Sequence, residues 1–207
     1  MKILHINASA HRDGATKRGL DECDSALKVL GAKTDYLFIG DTARHACTAC
    51  GRCKKTGSCV FGDIDEIAEK LADSDGIIIG IPTHYGGAPG NILSVISRLL
   101  FSAKECVEYK PVAVIGAGRR GCICAAIEEV MRFFTFSSSP IVTGIYPPIL
   151  YGTDYESAGF DAEGLQNMRS VANNIYWLTA AIAKGREHGI GPSFAEKKIK
   201  TDISSLL

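Results

Sequence analysis

The sequence has no long hydrophobic run. No apolar stretch approaches the roughly 20 residues that a membrane-spanning helix needs, so no membrane span or membrane partner is expected. It has no surplus of either charge. Its 23 Lys and Arg balance 23 Asp and Glu for a net charge of zero, which removes the electrostatic case for nucleic acid. The N-terminus lacks the basic and apolar regions of a secretory leader. Residues 1–9 read instead as a short strand and polar residues, and a cytoplasmic location is expected. There is no internal repeat and no low-complexity segment. The single tryptophan, Trp177, lies in a helical stretch and reads as packing, and His5 in the first strand reads as a core residue. No residue is assigned as a catalytic acid, base or nucleophile.

Hydrophobic side chains and cysteines are well represented. Of 207 residues 46% are hydrophobic and 22% charged, which supports a packed core in one domain with modest extensions. Eight cysteines are present, and four of them, Cys47, Cys50, Cys53 and Cys59, follow the spacing C-x2-C-x2-C-x5-C. Three readings of this loop stand. In the first, the three close thiolates surround one small volume and the fourth closes it, as around a cubane 4Fe-4S cluster. In the second, the thiols carry no metal or form a disulfide, which a reducing compartment disfavours. In the third they bind zinc, but such sites commonly use two separated ligand pairs; here no remote pair exists, and His45 is the only other ligand nearby. Arg52, Lys54 and Lys55 flank the motif, either to offset thiolate charge or as a solvated basic loop. Cys23, Cys106, Cys122 and Cys124 read as core cysteines.

Strand-like runs at 2–7, 34–39, 76–81, 111–116 and 140–146 alternate with helical patterns at 16–30, from 63, at 92–101, up to 136, and at 163–183. The run 76–81 is apolar without interruption, as expected of a central parallel strand covered on both faces. Residues 40–62 lack periodicity and form a long loop carrying the cysteines, the kind of loop that is usually functional. The alternation predicts an α/β protein, a three-layer α/β/α arrangement around a five-stranded parallel sheet. Residues 185–207 read as an arm that packs on the body or on a neighbouring subunit.

Open parallel sheets bind ligands beyond the carboxyl ends of their strands. In the flavodoxin-like order 2-1-3-4-5, the first, third and fourth strand ends lie side by side around an FMN crevice. The loops at those ends are the informative ones. Asn7 to Thr16 offers the hydroxyls of Ser9 and Thr16, a tight turn at Gly14 and a helix start suited to phosphate; the plainer reading is an ordinary strand-to-helix turn. Pro82 to Gly90 can lay backbone along a flat ring, with Tyr85 beside it; the plainer reading is an aromatic capping the core. Gly116 to Gly121 permits close approach, and Arg119 and Arg120 can hold negative charge or simply be solvated.

Four segments together resemble the NAD(P)H-dependent FMN reductase branch of the flavodoxin-like superfamily, and most of all the iron–sulfur flavoproteins of anaerobic microbes. They are N-A-S-A-H-R-D-G-A-T, C-T-A-C-G-R-C-K-K-T-G-S-C, I-P-T-H-Y-G-G-A-P-G with the following I-S-R-L, and G-A-G-R-R-G. The resemblance covers roughly residues 1–180, and the compact cysteine spacing is its most specific part. It implies FMN bound at Ser9, His11, Ala15, Thr16, Pro82, Thr83, His84, Tyr85, Gly86, Gly116, Gly118, Arg119 and Gly121. It implies a 4Fe-4S cluster on Cys47, Cys50, Cys53 and Cys59, and a homodimer or homotetramer. Two departures stand out: Ala8-Ser-Ala-His replaces the usual Gly-Ser-Pro-Arg, and Ala15 replaces an Asn, which brings no side-chain hydrogen bond to phosphate.

The expected protein is therefore an oxidoreductase with an FMN-binding domain over residues 1–184 and a cysteine loop at 40–62. It would move electrons between NAD(P)H or a ferredoxin-like donor, FMN and a 4Fe-4S cluster, and pass them to a small-molecule or protein acceptor. Two alternatives remain at this point: an NAD(P)H-dependent FMN or quinone reductase without a loaded cluster, and a non-enzymatic FMN electron carrier or redox sensor.

Overall fold

Strand and helix alternate from the first residues. β1 (Lys2–Asn7) leads to α1 (Ala15–Val29), β2 (Lys33–Phe38), the one-turn α2 (Cys53–Thr56), α3 (Asp65–Ala72), β3 (Gly76–Pro82) and α4 (Gly90–Ser102). β4 (Val112–Gly118), α5 (Ile123–Thr135), β5 (Ile141–Val142), β6 (Ile149–Tyr151), α6 (Tyr155–Ala158) and α7 (Ala162–Glu187) follow. This computed structural model describes residues 1–192. The arm expected over 185–207 lies outside the described residues from 193 onward; before that, α7 runs on through Glu187.

The strands form one parallel sheet in the order β2-β1-β3-β4-β5, with β6 also paired to β4. The edge departs from the expected single strand at 140–146. β5 pairs only beside Val112 and Ala113, and β6 pairs beside Gly116 to Gly118. Pro147 and Pro148 lie between them and supply no N–H for a ladder, so the edge is completed in two short pieces. Gly116 and Gly118 also belong to β4 rather than to the loop after it.

The period-two alternation of side chains divides the core. Leu4, Ile6, Ile77, Ile79, Ile81, Val112 and Val114 face the side covered by α3, α4 and α5. Ile3, Ile78, Ala113 and Ile115 face the side covered by α1 and α7. β3 therefore has buried isoleucines on both faces, which is why its sequence shows no polar alternation. α1 ends at Val29 with Leu30 as its cap, and Gly31 follows at φ +84, the left-handed position that commonly stops a helix. No helix among the described residues is long and apolar enough to cross a membrane.

Candidate functional site

The carboxyl ends of β1, β3 and β4 open into a cleft of about 310 Å³. Buried Asn7, the last residue of β1, anchors its first wall. Asn7 Nδ2 donates to the Arg12 carbonyl at 3.1 Å and to Tyr36 Oη at 2.8 Å, while its Oδ1 accepts from the Ser9 N–H at 3.0 Å. Ser9 and Thr16 are buried and line the cleft with His11, Gly14 and Ala15. Gly14 caps α1 and provides no side-chain hydrogen bond, so the first helical N–H groups keep their capacity for an anion.

The second wall follows β3. The Thr83 N–H donates to the Ala117 carbonyl at 3.0 Å, which places the Thr83 side chain at the cleft. Its hydroxyl is buried and has no hydrogen-bond partner. Burying an unpaired hydroxyl is costly, and a polar ligand in the cleft would complete it. His84 and Gly87 exchange two backbone hydrogen bonds of 3.0 Å across a tight turn. Tyr85 at φ +48 and Gly86 at φ +89 form its tip, the pattern of a type I′ turn. The Ala88 N–H donates to Glu129 Oε2 at 2.9 Å and secures the far end of this loop to α5.

Of the thirteen residues expected at the cofactor, Ser9, His11, Ala15, Thr16, Pro82, Thr83, His84, Gly118 and Arg119 line the cleft. The other four do not. Gly116 lies under α5: a Cβ there would stand 2.5 Å from Ile123 and 2.8 Å from Ile127, so this glycine serves helix-to-sheet packing. Tyr85 projects fully into solvent and Gly86 lies at the turn tip. Gly121 lies in open loop, with nothing near its Cβ position. Ala117, Gly152 and Thr153 line the cleft unanticipated. The Gly152 N–H donates to the Gly118 carbonyl at 3.1 Å, so this wall arises from the β6–β4 pairing that the prolines obscure in sequence. The capping box of Asp154 and Ser157 was the local signal available there.

A second cleft, of about 120 Å³, is lined by all four clustered cysteines, with Val60, Phe61 and the α4 residues Arg98, Phe101 and Ser102 among its other walls. Cys47 and Cys50 are exposed, and Cys53 and Cys59 half-buried. Left-handed backbone at Ala49, Gly51, Gly57 and Gly62 folds the loop back on itself. The Arg52 backbone N–H, foremost among several hydrogen bonds, lowers the Cys50 thiol below its ordinary pKa. The thiols line the cleft without converging: among the described residues no three His, Cys, Asp or Glu side chains form a metal-binding group. His45 stacks on Phe61 at 4.4 Å and does not line this cleft. None of the eight cysteines is in a disulfide. Cys23 and Cys106 are core residues as expected, whereas Cys122 is exposed and Cys124 half-buried, because they begin α5 at the cleft end of the sheet.

One helix serves both clefts. Asn91, in the first turn of α4, donates to the carbonyls of Ala8 at 3.2 Å and Ile39 at 3.3 Å, beside the first cleft. Arg98, seven residues on and roughly 10 Å along the axis, reaches the second.

The geometry agrees with comparisons to known proteins. The family model described as NADPH-dependent FMN reductase matches residues 1–147. An iron–sulfur flavoprotein of Methanocaldococcus jannaschii is 27% identical over 193 residues, covering 89% of this chain and all of that protein. Among solved structures, RosB with a bound 8-demethyl-8-formylriboflavin-5'-phosphate superposes with a TM-score of 0.68 at 13% identity, over 99% of this chain and 92% of that one. A flavodoxin from Streptococcus pneumonia TIGR4 gives a TM-score of 0.58 at 15% identity, over 86% and 99%. The two structural likenesses establish the flavodoxin-like fold.

Proposed function

This chain belongs to the NADPH-dependent FMN reductase family, and from that membership we propose that it transfers electrons between NAD(P)H or a ferredoxin-like donor, FMN and a 4Fe-4S cluster on the cysteine loop. As a member of that family it is a flavin-dependent oxidoreductase. When bound, FMN supplies exchange between paired and single electrons, and a cubane cluster supplies single-electron transfer.

The chain's own residues supply binding and orientation. The uncapped amides of α1, with Ser9 and Thr16, take the phosphate. The unpartnered Thr83 hydroxyl takes a polar edge of the ring, with Pro82 and His84 lining the cleft beside it. Arg119, exposed at the rim, holds negative charge. No side chain is needed as proton donor or base.

The observation that carries the cluster is that Cys47, Cys50, Cys53 and Cys59 line one cleft, with a relative matched over 89% of this chain named an iron–sulfur flavoprotein in support. Four thiolates are the ligand set such a cluster takes. Exposed Phe101 and Phe136 line one apolar groove with Leu100 and Phe133, which supports assembly as a homodimer or homotetramer. Cys53→Ala tests the ligand assignment: bound iron should fall while FMN stays, and unchanged iron would refute it.

The exposure of Cys47 and Cys50 favours a second reading, an FMN or quinone reductase whose thiols carry no metal. It predicts flavin and NAD(P)H turnover without iron.

A further inference from the structure

The floor of the cysteine cleft holds a buried cation. Arg98, on α4, has a side chain that is 1% exposed. Its guanidinium grips both carboxylate oxygens of Asp63, with Nη2 donating to Oδ2 at 2.9 Å and Nη1 to Oδ1. Nε donates to the Ser94 carbonyl at 3.3 Å, and the guanidinium carbon lies 5.5 Å from the Phe61 ring centre. These contacts leave little freedom. Nη1 also donates to Cys59 Sγ at 3.6 Å.

The local charge is unbalanced. Asp63 serves two cations: Arg44 Nη1 donates to its carboxylate at 3.3 Å and to its carbonyl at 2.9 Å. Two guanidiniums thus share one carboxylate, and Arg44 Nε is buried without a partner. A buried charge left uncompensated is expensive. The atom next in reach of Arg98 is the Cys59 sulfur, which as a metal ligand bears the missing negative charge.

We propose that Arg98 is a positioning residue for the cluster: held by Asp63, it fixes the Cys59 ligand and raises the cluster's reduction potential through its N–H···S hydrogen bond and its desolvated positive charge. The inference rests on the reading of the cysteine loop as a cluster site. Hydrogen bonds to the sulfurs and net charge both set such potentials, and each favours the more negative, reduced state. The flanking Arg52, Lys54 and Lys55 lack this enclosure; Arg98 is the cation buried against a ligand sulfur.

The test is a redox titration of both cofactors, with the cluster followed by electron paramagnetic resonance, on intact protein purified without oxygen. Three forms are compared: wild type, Arg98→Lys and Arg98→Met. The lysine keeps a charge and loses the fork. The methionine removes the charge and fills the same space, while Asp63 keeps its contact with Arg44. The equilibrium constant for reducing the cluster should fall about tenfold in the variants, about 59 mV for a one-electron couple, while the FMN potentials and FMN content stay. An unmoved cluster potential in loaded variants overturns the role of Arg98 and leaves the cluster reading intact. Loss of iron from both variants with FMN retained would support the hold of Arg98 on the Cys59 ligand. Wild type that holds no iron overturns the cluster reading and this inference together.

Discussion

At the residue scale, two buried polar groups carry distinct consequences. The Thr83 hydroxyl has no partner within the protein and borders the cofactor cleft. Thr83→Val preserves its shape and removes that unsatisfied group. FMN affinity should therefore fall about tenfold or somewhat less, while the cofactor-free protein unfolds at the same urea concentration or higher. Fluorescence titration with FMN and urea unfolding measure the two effects. His5 lies on β1 facing α1, fully buried, with Nε2 unpartnered and Nδ1 3.9 Å from Asp24. Burial pushes its pKa down from 6.5 to about 4, against the opposing pull of Asp24. The sign follows from proton binding: as pH falls below about 6.5, the unfolded chain takes up the proton first. The contribution of neutral His5 is therefore complete above pH 6.5, is lost between 6.5 and about 4, and does not change further below. By pH 5 the loss should be about 2 kcal/mol. His5→Leu should flatten that part of the stability–pH curve, read from urea midpoints.

At the element scale, glycines and prolines separate what the sequence discloses from what it conceals. The long apolar run of β3 and the helical periods of α1 and α7 are legible because each records the cover on its own faces. The split between β5 and β6 is concealed, because two prolines interrupt pairing inside one apolar stretch. The wall made by Gly152 and Thr153 is lost with it. Gly116 shows the opposite relation. A glycine near a strand end suggests close approach to a ligand, but here it admits α5 to the sheet. Gly116→Ala should cost about 1–3 kcal/mol through collision with Ile123 and Ile127. The FMN affinity of the folded fraction should not change. A loss of affinity without a loss of stability would return Gly116 to the cofactor site. Arg98 was not legible at all: its partners Cys59 and Asp63 lie 39 and 35 residues away, and only the packing of α4 against the cysteine loop brings them together.

At the scale of the whole molecule, one parallel sheet presents two chemically different clefts. The first is built from strand ends, buried hydroxyls and helix amides; the second from thiols over a buried guanidinium. α4 touches the walls of both, through Asn91 and Arg98. Protein purified without oxygen, assayed for FMN, iron, acid-labile sulfide and zinc per chain, tests the joint occupation of these clefts most directly. The expected result is about one FMN with about four iron and four sulfide in each chain, and no zinc. FMN without iron, persisting after an attempt to rebuild the cluster from iron and sulfide, would contradict it and leave a plain flavin reductase.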